Sequence, residues 1–146
     1  MRNKQYLPKP VFAAVQKEVE KIAKEVNGIK AIVIATVDGF DIVSTSLDDT
    51  DPKRIAAMAS SISAISHVVA QEAGLGYGKN IIINTTNGFI VVQNVKFQDY
   101  EIVINIVAKD SAILGQVSYY ATRLAEVLIS TCRPAPYNAQ SRPTKP

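Results

Sequence analysis

The chain carries little with which to do covalent or metal chemistry: one cysteine, one histidine and no tryptophan in 146 residues. A lone Cys132 excludes a disulfide framework, a CxxC pair and a Cys/His metal cluster, and it favours a reducing, cytoplasmic setting. Its ordinary role is an incidental thiol near a helix end. Without tryptophan, and with its tyrosines dispersed, the sequence offers no aromatic platform for nucleic acid. Long apolar runs are also missing. Arg2, Lys4 and Lys9 are not followed by the apolar stretch of a secretory signal. The least interrupted apolar segment holds Ser60, Ser61, Ser63 and Ser66, too polar for a membrane span.

Positive charge is scarce where it would matter. The formal charge is +3, yet Arg2, Lys4, Lys9, Arg133, Arg142 and Lys145 lie in the two ends, leaving 10 basic residues against all 13 acidic ones over residues 11–132. The body of the chain is mildly acidic, which argues against a basic nucleic-acid-binding face. The length suits one domain, and 47% hydrophobic residues suffice for its core. We expect a basic extended leader over residues 1–10, closed by Pro8 and Pro10, a domain over residues 11–131 and a proline-rich, basic, disordered tail over residues 132–146.

After the leader, Phe12, Val15, Val19, Ile22 and Val26 recur at spacings of three and four, an amphipathic helix that Asn27 and Gly28 stop. Residues 29–37 read as a strand, with Ile32 and Ile34 on one face and Ala31, Val33 and Ala35 on the other, both buried. Asp38-Gly39 is a two-residue hairpin turn, and residues 40–45 form the return strand. The crowding of Asp48, Asp49 and Asp51 raises the question of a cation; loop solubility and an N-cap at Asp51, before Pro52, are the preferred account.

The segment Pro52–Glu72 is the most informative. It reads as a helix of about 31 Å, at 1.5 Å per residue, and it has no charged residue from Ile55 through Gln71. Ile55, Met58, Ile62, Ile65 and Val69 form a heptad-spaced stripe expected to face the core. A second stripe, Ala57, Ser61, Ala64 and Val68, is small and nearly apolar. A small domain has too little mass to cover every side of such a helix, so the uncovered side is expected to meet another protein chain.

Gly74, Gly76 and Gly78 follow, ending in Gly78-Lys79-Asn80. These do not make a phosphate loop, because they follow a helix, lack the Ser/Thr and open a strand; they stop the helix and turn the chain. Three strands follow over residues 80–85, 89–95 and 101–108, an antiparallel meander whose cores are continuous rather than alternating. Helices should therefore cover both faces of the sheet. Asp110 or Ser111 can cap a last helix in which Leu114, Val117, Ala121, Leu124 and Leu128 repeat.

No catalytic constellation emerges. His67 lies between the small-residue stripe and Ser60/Ser63, which fits an interface or partly exposed position, and no G-x-S-x-G elbow exists to support a Ser-His-Asp site. We expect no catalytic residue, no metal and no cofactor.

The order of these elements resembles the roadblock family, which includes dynein light-chain roadblock proteins and bacterial regulators of Ras-like GTPases. The likeness spans residues 12–131. It is carried by Asn27 to Val33, the Asp38-Gly39-Phe40 turn, Ile55 to Ala59, the hairpin centred on Asn87-Gly88 and Leu114-Gly115. Many members have proline where Asn27 stands, a departure the fold does not depend on. The resemblance implies an α+β fold of order α-β-β-α-β-β-β-α: a five-stranded antiparallel sheet, with the first and last helices on one face and the middle helix on the other. It further implies a homodimer through the middle helix and the meander's edge strand, here Pro52–Glu72 and Asn80–Thr85. The expected interface residues are Ala57, Ser61, Ala64, His67, Val68, Ile81, Ile82 and Ile83. A bare, isoleucine-rich edge strand is an aggregation hazard unless another chain pairs with it.

Family members commonly bind Ras-like small GTPases and alter their nucleotide cycle, or act as scaffolds. Neither Arg54 nor Arg123 is assigned as an arginine finger, so stimulation would come through the GTPase's own switch loops. The alternatives are a scaffold without GTPase regulation and, ranked below it, a small-ligand sensor on a similar profilin-like sandwich.

Overall fold

Strands that are apolar on both faces need a layer on each side. The computed structural model, which describes residues 7–97 and 100–132, has both layers. The elements are α1 (Lys9–Glu25), β1 (Ile29–Thr36), β2 (Asp41–Ser46), α2 (Pro52–Glu72), β3 (Asn80–Thr85), β4 (Gly88–Phe97), β5 (Tyr100–Lys109) and α3 (Leu114–Cys132). The strands form one antiparallel sheet in the order β2-β1-β5-β4-β3, so β2 and β3 are its edges.

The main core lies between the sheet and the α1/α3 layer. Val15, Val19 and Ile22 of α1 and Val117, Leu124 and Leu128 of α3 meet Ile32, Ile34, Ile104 and Ile106 from the strands. On the other face α2 packs on β1, β2 and β5 and more lightly on β4. Here Ala56 meets Val33 and Ala35, and Ala59 meets Val92 and Val103. The period-two split of β1, with Ile32 and Ile34 on one side and Val33 and Ala35 on the other, is the one expected.

Several boundaries differ from the expected ones for local reasons. α1 begins at Lys9, with Pro10 in its first turn and Phe12 N–H donating to the Pro8 carbonyl at 2.9 Å. Proline is tolerated there because first-turn N–H groups have no intrahelical acceptor. Leu7, counted with the leader, is buried in the core, and Val11 rather than Phe12 starts the buried stripe. The first hairpin is wider than a two-residue turn. β1 stops at Thr36, and residues 37–40 form a loop in which Thr36 N–H donates to the Phe40 carbonyl, Phe40 N–H to Thr36 Oγ1, and Gly39 adopts φ +92°.

Asp110 and Ser111 fall in the turn before α3, whose Val117 N–H donates to the Ile113 carbonyl, and Cys132, counted with the tail, is its last residue. Residues 1–6 of the expected leader and 133–146 of the expected tail lie outside the described residues.

Two glycines are required. At Gly28 (φ +86°) a Cβ would meet the Ala112 backbone at 2.7 Å, and at Gly88 it would meet the Ala108 carbonyl oxygen. The first lets the end of α1 press against the turn leading into α3. The second closes the β3–β4 hairpin onto β5.

Candidate functional site

The middle helix starts where its capping chemistry places it. Asp51 Oδ1 accepts from Lys53 N–H at 3.0 Å, and Pro52 follows as the first helical residue. Arg54 pairs with Asp51 at 3.8 Å in solvent. The neighbouring Asp48 is likewise used within its loop. Its Oδ1 accepts from Thr50 N–H at 2.9 Å and Thr50 Oγ1 at 2.6 Å, and its other oxygen stands 3.5 Å from the Lys30 ammonium. The Thr50 bonds, with Lys30 adding, hold its carboxyl below the usual carboxylate range. Among the described residues no three His, Cys, Asp or Glu side chains are grouped to hold a metal ion.

Which side of α2 meets the sheet is the reverse of the expectation. Ala56, Ala59 and Ser63 are buried, whereas Met58, Ile65 and Val69 of the heptad stripe are 60%, 64% and 61% exposed. Ile55 and Ile62 are half-buried at its margin. Small side chains at spacings of three and four let the helix sit close on a sheet face already filled by valines, leaving its large apolar side chains outward. The second stripe, Ala57, Ser61, Ala64 and Val68, is exposed throughout. Both stripes therefore belong to one uncovered apolar surface, and Met58, Ile65 and Val69 are its members that sequence reasoning missed.

The serines do not make this surface polar in the usual way. Ser60 Oγ donates to the Ala57 carbonyl at 2.9 Å and Ser66 Oγ to the Ser63 carbonyl at 2.8 Å, so their hydroxyl protons are used within the helix. Ser63 Oγ donates to Asn94 Oδ1, while Asn94 Nδ2 donates to the Gly78 carbonyl at 2.8 Å. This buried relay ties α2, β4 and the loop of residues 73–79 together.

His67 is half-buried on the side of α2 facing that loop, its ring centroid 4.5 Å from that of Tyr77. The Lys96 ammonium lies 5.9 Å from the Tyr77 ring centroid. Burial, with the Glu101 charge adding, raises the Tyr77 phenol. His67 thus supports the loop rather than lying among the exposed stripes. Leu75, 79% exposed, extends the apolar surface beyond the helix end.

β3 is an edge of the sheet, and its three isoleucines divide by face. Ile81 and Ile83 pack, half-buried, beside Ala59, Val92 and Val103 on the α2 side. Ile82, opposite Val91, points to the other face and is 40% exposed. Two surfaces thus remain uncovered, the outer side of α2 and the edge strand β3. No helix among the described residues is long and apolar enough to cross a membrane.

Comparison with known proteins bears on this arrangement. The family model described as Roadblock/LC7 domain matches residues 15–98. No curated protein matches the chain in sequence. Similar solved structures include MglB in a tetrameric arrangement, at 15% identity over 90% of this chain and 97% of that one, with a TM-score of 0.78. The gliding protein MglB of Thermus thermophilus is 13% identical over 90% and 98%, TM-score 0.78. MglB of Myxococcus xanthus is 15% identical over 86% and 92%, TM-score 0.75. At these identities the likeness is one of fold.

Proposed function

The chain belongs to the Roadblock/LC7 domain family, and from that premise we propose that it is a homodimeric, cytoplasmic adaptor that binds a Ras-like small GTPase and modulates its nucleotide cycle. The observation that carries this is the α2 surface: uncharged from Ile55 through Gln71, with Met58, Ile65, Val68 and Val69 each more than half exposed. Such a surface is costly in water and stabilising once covered, at roughly 25 cal/mol per Å² of apolar area.

A two-fold axis beside β3 covers it economically. Two β3 edges pair antiparallel, the two sheets become one, and both α2 helices lie on the same face of the joined sheet. Ala57, Ser61, Ala64 and Val68 let the helices approach each other or a partner, and Ile81, Ile82 and Ile83 form the seam. The tetrameric arrangement reported for MglB is consistent with self-association of this fold.

The GTPase docks across the paired helices. Arg123 lies on α3, on the opposite face of the sheet, paired with Glu18 at 3.4 Å, and Arg54 sits at the start of α2, so neither is assigned as an arginine finger. The adaptor acts by reshaping the GTPase's switch loops.

Light scattering tests the dimer: the wild type is expected at twice the mass of its chain and Ala64→Glu at the mass of one, while a monomeric wild type refutes the interface. Incubation with Ras-like GTPases encoded near the gene tests the partner. A changed rate of GTP hydrolysis or a co-eluting complex supports regulation. A dimer without effect on any of them leaves a scaffold.

A further inference from the structure

The contacts of α2 trace its path across the sheet. Ala56 packs on Val33 and Ala35 of β1, Ala59 on Val103 of β5 and Val92 of β4, and Ser63 bonds Asn94 of β4. One turn on, His67 stands against Tyr77. Two residues beyond Tyr77, the Lys79 carbonyl accepts from Asn94 N–H at 2.8 Å, so the chain there already runs in line with β3. The helix thus crosses the strands from β1 to the β3 edge. From His67 it continues to Glu72, about 8 Å farther at 1.5 Å per residue, against a strand spacing of about 4.8 Å. Its last turn overhangs the edge strand.

The end of the overhang is fixed and apolar. Gly74 takes φ +68°, its N–H donates to the Gln71 carbonyl at 3.0 Å, and Leu75 N–H donates to the Ala70 carbonyl at 2.9 Å, a Schellman closure. That motif ordinarily tucks the residue in the place of Leu75 against the preceding turn. Here Leu75 and Val69 are both exposed, and a Cβ on Gly74 or Gly76 would have nothing within 4 Å.

The same face of the sheet has a hollow whose walls include no residue of α2. Ile90 and Val107, opposite each other on β4 and β5, lie half-buried on the α2 side. They floor a groove of about 410 Å³ rimmed by Thr85, Lys30, Lys109 and Asp110. Such a floor gains from an apolar side chain laid on it. Thr85 puts the groove at the end of β3, whereas the overhang lies toward the start of that strand. When two β3 edges pair antiparallel about a two-fold axis, the start of each strand points toward the end of the other. The overhang of each copy then extends over the other's sheet, toward its groove.

We propose that Leu75 and Val69 of each copy seat on Ile90 and Val107 of the other, so that each groove is completed by its partner. The inference rests on the dimer proposed above and adds a contact that neither the small-residue stripe nor the strand seam makes.

The test uses the full chain in a Cys132→Ser background. One copy carries Leu75→Cys, the other Lys109→Cys and a terminal tag that sets its mass apart, and the mixture is treated with a short bismaleimide. Both positions are exposed, so the fold is kept. A cross-link between unlike copies is expected. Leu75→Cys mixed with Asp38→Cys, at the far hairpin, is expected to give none. Leu75→Ser is expected to raise the dimer's dissociation constant about a hundredfold, because two leucines leave two grooves. Dimers seen by light scattering without the first cross-link, or with a dissociation constant unchanged by Leu75→Ser, overturn the seating and leave the dimer standing. A wild type that stays monomeric overturns both.

Discussion

Buried polar side chains either find partners or remain a cost. Thr36, Ser63, Asn94 and Asn105 are buried. Thr36 Oγ1 accepts from Phe40 N–H, and Ser63 and Asn94 satisfy each other and the Gly78 carbonyl. Asn105 is half satisfied: Nδ2 donates to the Val33 carbonyl at 3.1 Å, but Oδ1 has no partner. An unpaired buried acceptor costs about 1–3 kcal/mol, whereas the bond made by Nδ2 contributes about 1. Asn105→Val should therefore be neutral to stabilising by up to about 2 kcal/mol in urea unfolding. A loss of stability would mean that Oδ1 has a partner, such as a buried water. Asp48 gives the pH prediction at this scale. Its pKa is lowered in the fold, so its contribution is present above the unfolded-state carboxylate value and is lost as pH falls through the folded one. The protection of the Thr50 amide, taken as its exchange rate relative to that of an unstructured chain at the same pH, should fall on acidification, and Asp48→Asn should flatten that dependence.

At the scale of elements, the order, types and most ends of the helices and strands were legible from periodicity and turn chemistry. The Asp51-Pro52 start and the Asn27-Gly28 stop each follow from one local conformational requirement, whereas Gly88 is required by the closeness of Ala108 on β5. The orientation of α2 was not legible. Ile55, Met58, Ile62, Ile65 and Val69 make the larger apolar stripe, and on a helix covered on one side that stripe turns inward. Here Ala56, Ala59 and Ser63 do so, because the sheet face is already filled by Val33, Val92 and Val103. A helical period identifies the stripes; which of them the sheet accepts depends on volume contributed by strands distant in sequence. The partly exposed position expected for His67 is the one found, but its ring contact with Tyr77 depends on a loop that helical periodicity does not place. Adjacent substitutions test the orientation. Ala59→Leu, against Val92 and Val103, should destabilise by about 1–3 kcal/mol through overpacking, while Met58→Ala should cost the isolated chain under about 0.5 kcal/mol. Denaturant midpoints of the two variants decide it, and the reverse order would restore the heptad stripe as the core face.

For the whole molecule, the question is why one flank remains apolar when the other edge does not. β2 carries Asp41, Ser44, Thr45 and Ser46, side chains that keep an unpaired edge in water, whereas β3 carries three isoleucines, of which Ile82 is 40% exposed. If that flank is buried between copies, folding and association are linked, and each tenfold rise in protein concentration stabilises the dimer by about 1.4 kcal/mol. The melting temperature should then climb by a few degrees over a hundredfold concentration series. Ile65→Glu places a carboxylate in the paired helices, and Ile82→Lys places an ammonium beside the seam. Both should flatten the climb while leaving the far-ultraviolet spectrum of the chain intact. Ser44→Lys, on the β2 edge, should leave the climb unchanged. A wild-type melting temperature independent of concentration, with Ile82→Lys and Ser44→Lys indistinguishable, would mean that the isoleucine edge serves only the monomer. The apolar flank would then need a different covering partner.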